Sequence, residues 1–137
     1  MPSGTTKTTG LNHLGLAVNN LDQTVHFFVD CLGWLESGRD DSYPRSAVTD
    51  GKLRLTLWQV DHNLSVNDFQ FRQNVGLHHF ALEVESEAGL NELADRVQDY
   101  PGIKIEFMPE LLAVGPRKHM MFNEPGGIRI ELIWPGT

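Results

Sequence analysis

The chain has 137 residues, of which 40% are hydrophobic and 21% are charged, and its formal net charge is −7. This size and composition suit one globular domain, or two small modules that share a core. The acidic balance, without any Lys/Arg cluster, argues against nucleic acid and membranes as partners, and no apolar run is long enough to span a bilayer.

The only cysteine is Cys31, so an intrachain disulfide and a cysteine-based zinc site are both excluded. A lone thiol suits a reducing compartment, and we expect a cytoplasmic protein. Residues 1–9 are small and polar. Because they lack the apolar centre of a signal peptide, we expect them to form a flexible tail.

A nine-residue segment occurs twice along the chain. It reads GLNHLGLAV at Gly10–Val18 and GLHHFALEV at Gly76–Val84, and five of the nine positions are identical. Alternating apolar residues predict that both copies are strands. An internal repeat of this kind indicates two structurally equivalent modules.

A helical pattern follows each copy of the repeat. The first helix is predicted from about Leu21 to Leu32, with Asn20 as its N-cap and Gly33 just beyond its end. The second is predicted from about Glu87 to Tyr100, with Ser86 as its cap. Both segments carry an apolar stripe at helical spacing, which predicts that one face of each helix packs on a sheet.

The remaining patterns in each half are strands. The two halves end alike, and further strand candidates lie before these ends; the predicted strands are 36–39, 45–49 and 52–58, then 104–108, 118–123 and 127–133. The predicted fold class is therefore α+β, with two pseudo-symmetric βαβββ modules forming a cupped mixed sheet and the helices on its outer face. The first module spans residues 10–60, a polar linker spans 61–75, and the second module spans 76–137.

Side-chain alternation predicts which residues lie opposite the helices. One face of each strand is apolar, and the other face collects His13 and Thr56 from the first module and His79 and Glu131 from the second. A pseudo-twofold axis between the modules would bring these four positions together. Two imidazoles and one carboxylate form a triad that suits a divalent metal and leaves positions open for substrate. A threonine hydroxyl is a poor ligand, so we expect Thr56 to face a water or a substrate oxygen.

Several other residues share the predicted site face. Arg54, Trp58 and Arg129 are candidate substrate-binding residues, and the arginines suit an anionic group. The simpler interpretation of the arginines is an ion pair with a neighbouring carboxylate such as Glu83. His119 lies on a predicted strand and is the candidate acid–base residue. By the same alternation, His78 is expected to face the helix layer.

These motifs resemble those of the vicinal-oxygen-chelate superfamily, which includes glyoxalases, bleomycin resistance proteins and ring-cleaving dioxygenases. The resemblance covers nearly the whole chain after Gly10. It is carried by the order and spacing of four segments: Asn12–Val18, Cys31–Trp34, His79–Val84 and Glu124–Leu132.

The resemblance implies a metal site and a small-molecule substrate. His13, His79 and Glu131 match three ligand positions of the family, for one divalent ion that is Fe(II), Mn(II), Ni(II) or Zn(II). The substrate would be chelated through neighbouring oxygens. The resemblance also implies a homodimer, with the site formed either within one chain or between two chains.

The reaction stays open at this point, because a fold does not choose a chemistry. Glyoxalase I has a Glu or Gln where Thr56 stands, so the three-ligand pattern favours a dioxygenase over a lactoylglutathione lyase. A tyrosine often stands at the position of Met121 in the dioxygenases. Metal-free antibiotic-binding members tend to lack the triad, and a fosfomycin-type thiol transferase would share it.

Overall fold

The computed structural model describes residue 4 and residues 6–137. Part of the expected N-terminal tail, residues 1–3 and 5, lies outside the described residues. The first half of the described chain contains β1 (Leu14–Val18), α1 (Leu21–His26), β2 (Leu35–Asp40), β3 (Arg45–Thr49) and β4 (Arg54–Gln59). The second half contains β5 (Phe80–Glu83), α2 (Glu87–Asp99), β6 (Lys104–Leu111), β7 (Lys118–Asn123) and β8 (Arg129–Trp134).

The strands form two four-stranded sheets with equivalent topology. Their strand orders are β1-β4-β3-β2 and β5-β8-β7-β6. In each sheet the first and last strands of the module pair in parallel, and the other neighbours are antiparallel. The predicted α+β fold of two βαβββ modules is confirmed. The register is equivalent too, since Gly15 pairs with Thr56 in one sheet and Ala81 with Glu131 in the other.

Local sequence signals set the ends of the helices. The Asn20 side chain accepts a hydrogen bond from the amide of Gln23, and the Ser86 hydroxyl accepts one from Gly89, so each cap satisfies an amide that the helix leaves free. Helix α1 continues as a π-helical turn over Phe27–Cys31. Gly33 follows it with φ +76°, a conformation that glycine adopts without steric cost.

The helix-facing sides of the two modules meet in one hydrophobic core. Phe27 is fully buried, and its ring centroid lies 5.6 Å from that of Tyr100 and 5.7 Å from that of Phe122, both in the second module. The Thr24 hydroxyl donates to the carboxylate of Glu124 at 3.1 Å. Burial of these apolar faces is the main force that holds the modules together.

The opposite sheet faces stay accessible. Gly15 and Ala17 on β1, and Ala81 and Glu83 on β5, are exposed. Residues between Gln59 and Phe80 form turns without a helix or strand. Within the described part of the chain, no helix is long and apolar enough to cross a membrane.

Candidate functional site

Glu131 lies between two histidines on the accessible face of the second sheet. Its Oε1 atom is 3.3 Å from Nε2 of His79, and its Oε2 atom is 2.6 Å from Nδ1 of His119. The side chains of Glu131 and His119 are only 12% and 14% exposed, so this contact is largely shielded from water. Strand register explains the arrangement: Met121 pairs with Glu131 and His119 with Ile133, so His119 lies diagonally across from Glu131 on the same face.

His78 extends this cluster and determines the proton positions on His79. The Nδ1 atom of His78 lies 3.1 Å from Nη1 of Arg129 and 2.7 Å from Nδ1 of His79. A guanidinium only donates hydrogen bonds, so Nδ1 of His78 is an acceptor. It follows that Nδ1 of His79 carries the proton that His78 accepts. In neutral His79 the other ring nitrogen, Nε2, then presents a lone pair.

Two acceptors therefore face each other at the centre of the cluster. The Nε2 lone pair of neutral His79 and the Oε1 atom of Glu131 are 3.3 Å apart. Two acceptors attract each other only through a proton or a cation placed between them. A carboxylate in a shielded site is also costly unless it is paired or bound to a metal. The arrangement places one imidazole nitrogen and one carboxylate oxygen side by side, and both are ligand types that divalent cations bind.

Arg129 is held by a bidentate ion pair on the same face. Its Nε and Nη2 atoms lie 2.7 and 2.9 Å from the two carboxylate oxygens of Glu106, and Asn123 donates to the same carboxylate. The hydrogen bonds from Arg129 lower the pKa of Glu106. The Arg129 guanidinium also lies 4.1 Å from the ring centroid of Phe71. Arg129 thus makes the ion pair anticipated from the sequence, with Glu106 rather than Glu83.

Two candidate residues of the first module are neighbours on their own sheet, where Thr56 is buried and Trp58 is half-buried. Trp58 Nε1 donates to the Thr56 hydroxyl at 2.9 Å. Gly15 stands beside them, where a β-carbon would be 3.2 Å from Thr56 Oγ1. Arg54 is exposed at the start of β4. Thr56 and Trp58, predicted from alternation to share a face, are directly hydrogen-bonded.

His13 does not join His79 and Glu131 within one chain. It precedes β1, is exposed, and its Nδ1 atom lies 2.8 Å from the Asn12 side chain. Among the residues that the structure describes, no three His, Cys, Asp or Glu side chains converge so that they could hold a metal. The three proposed ligands are therefore divided between the two modules: His13 precedes β1 of the first, whereas His79 and Glu131 belong to the second.

Sequence patterns missed two members of the cluster. The prediction that His78 faces the helix layer is wrong, because β5 begins at Phe80 and the strict alternation of a strand does not hold for the residues before it. Glu106 lies on β6, which is interrupted by irregular pairing between Ile105 and Phe107. A bulge changes the side-chain direction that alternation predicts. The only sequence signal for Glu106 was an unpaired arginine that needed a carboxylate.

Comparisons with known proteins identify the family. The family model described as "Glyoxalase/Bleomycin resistance protein/Dioxygenase superfamily" matches residues 10–132. The chain belongs to this superfamily. The comparison with curated proteins finds no match.

Solved structures of superfamily members share the fold. A glyoxylase/bleomycin resistance protein/dioxygenase domain from Frankia sp. EAN1pec is 23% identical, with TM-score 0.80 and coverage of 94% of this chain and 93% of that one. A fosfomycin resistance protein from Listeria monocytogenes is 18% identical, with TM-score 0.69 and 93% coverage of both chains. A lactoylglutathione lyase from Agrobacterium tumefaciens is 18% identical, with TM-score 0.70 and coverage of 94% and 96%. At these identities the likeness establishes the fold. The descriptions of the second and third proteins name different roles, so the reaction stays open.

Proposed function

We propose that this superfamily member is a divalent-metal enzyme whose centre uses His79 and Glu131 of one chain and His13 of a second copy. The observation that supports it best is the 3.3 Å contact between His79 Nε2 and Glu131 Oε1, two atoms of the kinds that bind divalent metals. The superfamily generally uses a divalent metal. The donor set of two imidazoles and one carboxylate suits Fe(II), Mn(II), Ni(II) or Zn(II).

A homodimer supplies the ligand that one chain lacks. Within the described residues the three ligands do not converge, and His13 is exposed beside the accessible face of the first sheet. If this face of one chain meets the second sheet of another, a twofold axis generates two equivalent sites. Superfamily members often dimerise. The free, buried thiol of Cys31 agrees with the cytoplasmic location that we propose.

The bound metal would supply Lewis-acid activation of two neighbouring substrate oxygens. His119 holds a proton at Nδ1 against Glu131, so its Nε2 atom is free in the neutral ring to accept a proton from a substrate hydroxyl. Thr56 and Trp58 would orient the substrate from the facing sheet, with Arg54 and Arg129 at its charged edges. Because Thr56 cannot act as a fourth carboxylate, ring-cleaving dioxygenase chemistry is favoured over a glyoxalase I reaction.

A metal-free small-molecule-binding protein is the second candidate. A cavity of about 1010 Å³ is lined by Tyr43, Trp58 and linker residues. Such a cavity can hold a ligand without any metal, as a resistance protein requires. Metal content therefore separates the two candidates.

The decisive experiment combines metal analysis with subunit complementation. The wild-type chain, reconstituted anaerobically with each of the four ions, should hold about two ions per dimer. His13→Ala and His79→Ala homodimers should each lose the ion, whereas His26→Ala, at an exposed position on α1, should retain it. In a co-expressed heterodimer of His13→Ala with His79→Ala, one of the two sites keeps all three ligands. It should therefore recover about one ion per dimer.

Each outcome has a clear meaning. If the heterodimer recovers no ion, the proposal that the site lies between two chains is wrong. If the wild type binds none of the four ions, the metalloenzyme proposal is wrong and the metal-free binding protein remains. A preference for iron or manganese would be followed by oxygen-uptake assays with catechols. A preference for nickel or zinc would be followed by assays with thiol adducts, as a lyase requires.

A further inference from the structure

The residue before each of the two histidines in the repeat contacts the Nδ1 atom of that histidine. In the first copy, Nδ1 of His13 lies 2.8 Å from Oδ1 of Asn12. In the second copy, Nδ1 of His79 lies 2.7 Å from Nδ1 of His78. The two pairs stand at the same positions of the nine-residue repeat. Each module therefore holds its histidine by the same ring nitrogen, although the residue that makes the contact differs.

Asn12 offers only an acceptor at the atom that faces His13. An amide oxygen carries no proton, so Nδ1 of His13 must donate in this contact. In the neutral ring, Nε2 then has a lone pair and is the nitrogen that can bind a metal. Among the described residues, Asn12 is the only hydrogen-bond partner of the His13 ring. Removal of the Asn12 side chain would therefore leave the proton of neutral His13 free to occupy either nitrogen.

His78 could either donate or accept, and Arg129 determines which. Nη1 of Arg129 lies 3.1 Å from the same Nδ1 atom of His78 that faces His79. A guanidinium only donates, so the lone pair of this nitrogen is shared by two donors, Arg129 and His79. His78 thus has the same effect on His79 that Asn12 has on His13, and Nε2 is again the nitrogen with the lone pair.

The Arg129 guanidinium is itself held in place. Two of its nitrogens lie 2.7 and 2.9 Å from the carboxylate oxygens of Glu106. The ring of Phe71 packs on both partners, with its centroid 4.1 Å from the guanidinium carbon and 4.9 Å from the His78 centroid. An amide oxygen needs no such support, because it cannot become a donor. The second module therefore uses an arginine to obtain from a histidine what the first module obtains from an asparagine.

We infer that Asn12 and His78 are positioning residues that fix Nε2 as the metal-binding nitrogen of His13 and His79, and that Arg129 makes His78 an acceptor. A partner at the other ring nitrogen sets the tautomer and the ring direction of a histidine ligand and raises its basicity. The inference rests on the proposed function for the metal itself. Because the proposed centre joins His13 of one copy to His79 of another, each copy would present the same ring nitrogen before the two copies meet.

The tautomers can be measured without any metal. Full-length protein with nitrogen-15-labelled histidine is treated with EDTA and studied by long-range proton–nitrogen NMR at about pH 9, well above the ordinary pKa of histidine. We expect the proton on Nδ1 of both His13 and His79. Asn12→Ala should give a mixture of tautomers at His13 alone, and His78→Ala or Arg129→Met should do so at His79 alone.

His78→Asn is the informative variant, because it gives the second module the acceptor of the first. It should keep the proton on Nδ1 of His79, and it should do so even when combined with Arg129→Met. A residue that only stabilised the local backbone would not produce this pattern, since the amide oxygen and the imidazole share no feature at this position except an acceptor for Nδ1.

Metal affinity is the second measurement, with Zn(II) in competition with a chromophoric chelator. We expect His78→Ala to weaken binding about 10- to 100-fold. Asn12→Ala should weaken it about 2- to 10-fold, the effect of one hydrogen bond in an exposed contact. His78→Asn should stay close to the wild type. Asn91→Ala and His26→Ala, at exposed positions on the helices, are the matched controls, and thermal melts show whether each variant is folded.

The outcomes separate this inference from the proposed function. A proton on Nε2 of His13 or His79 in the wild type, or equal losses of affinity in His78→Asn and His78→Ala, would overturn the inference. Unchanged Zn(II) affinity in folded Asn12→Ala and His78→Ala variants would overturn the positioning roles and leave the metal centre standing. A wild type that takes up none of the four candidate ions would reject the metal centre, and the positioning roles with it, whichever tautomers are found.

Discussion

The Nδ1 atom of His119 lies 2.6 Å from Oε2 of Glu131, across the neighbouring strands β7 and β8. Because one carboxylate oxygen is held by this bond, the other faces Nε2 of His79. His119 therefore sets the orientation of the carboxylate in addition to being a candidate acid–base residue. Partners that hold a ligand carboxylate contribute to metal affinity without touching the ion.

The first prediction concerns metal affinity in His119→Ala. Loss of the bond to Oε2 lets the Glu131 carboxylate rotate, so we expect affinity for the preferred ion to fall about 10- to 100-fold. In His79→Ala, which removes a proposed ligand, the metal affinity should fall further. Competition with a chromophoric chelator measures both, with His26→Ala as the matched surface control. An unchanged affinity in His119→Ala would show that the carboxylate is oriented by other contacts.

Alternation in regular strands was enough to predict much of this cluster. Glu131 and His119 lie within β8 and β7, whose pairing is unbroken, so their shared face could be predicted from sequence alone. The helix caps Asn20 and Ser86 could be predicted for a similar reason, because a cap depends on a few consecutive residues.

The rest of the site depends on contacts that a strand pattern does not contain. Alternation assigns His13 to a face but does not say which face of which module lies opposite it. Glu106 reaches Arg129 across the width of β7, and the irregular pairing of β6 hides its direction. His78 lies before the first residue of β5. These positions are fixed by tertiary packing.

The second prediction concerns Glu106, whose pKa is lowered by hydrogen bonds from Arg129. A carboxyl group with a lowered pKa stabilises the folded state at pH values above its unfolded-state pKa, which is about 4.5. This stabilisation is lost as the pH falls through the pKa of the folded state. Its side chain is 24% exposed, so solvent screening limits the effect. We expect Glu106→Gln to cost about 0.5–1.5 kcal/mol at neutral pH.

Urea unfolding at several pH values measures this cost. The difference between wild type and Glu106→Gln should shrink as the pH falls below about 4.5. Glu92→Gln, at an exposed position on α2, controls for the change in net charge. A difference that stays constant with pH would show that the ion pair with Arg129 contributes nothing to stability.

The third prediction compares two adjacent glycines in the turn before β8. A β-carbon on Gly126 would lie 2.7 Å from Glu124 Oε1 and 2.8 Å from Thr24 Oγ1, both in buried side chains. A β-carbon on Gly127 would meet nothing within 4 Å, but the backbone there has φ +93°. We expect Gly126→Ala to cost about 2–4 kcal/mol through overpacking, and Gly127→Ala about 1–2 kcal/mol through backbone strain.

Chemical denaturation of the two variants checks this order. The double variant Thr24→Ala/Gly126→Ala should lose less stability than the sum of the single changes, because removal of the threonine hydroxyl leaves room for the new methyl group. Strict additivity, or a larger cost for Gly127→Ala, would mean that the Thr24–Glu124 pair is not the contact that restricts Gly126.

The last prediction concerns Glu124, whose pKa is raised because burial disfavours its charged form. Thr24 and the amide of Gly126 donate to it and offset part of this effect. A raised pKa means that the folded state favours the protonated acid. The stabilisation that Glu124 contributes is fully present below its unfolded-state pKa of about 4.5. It is lost as the pH rises through the pKa of the folded state. The sign is opposite to that of Glu106.

Glu124→Gln removes this titration, so its stability relative to wild type should increase as the pH is raised. Urea unfolding from roughly pH 5 to pH 8 at constant ionic strength measures the difference, again with Glu92→Gln as the control. The hydrogen bond between Thr24 and Glu124 joins the two modules, because Thr24 is on α1 and Glu124 follows β7. A relative stability that falls with rising pH would mean that the two donors outweigh burial and that Glu124 is a net stabilising anion between the modules.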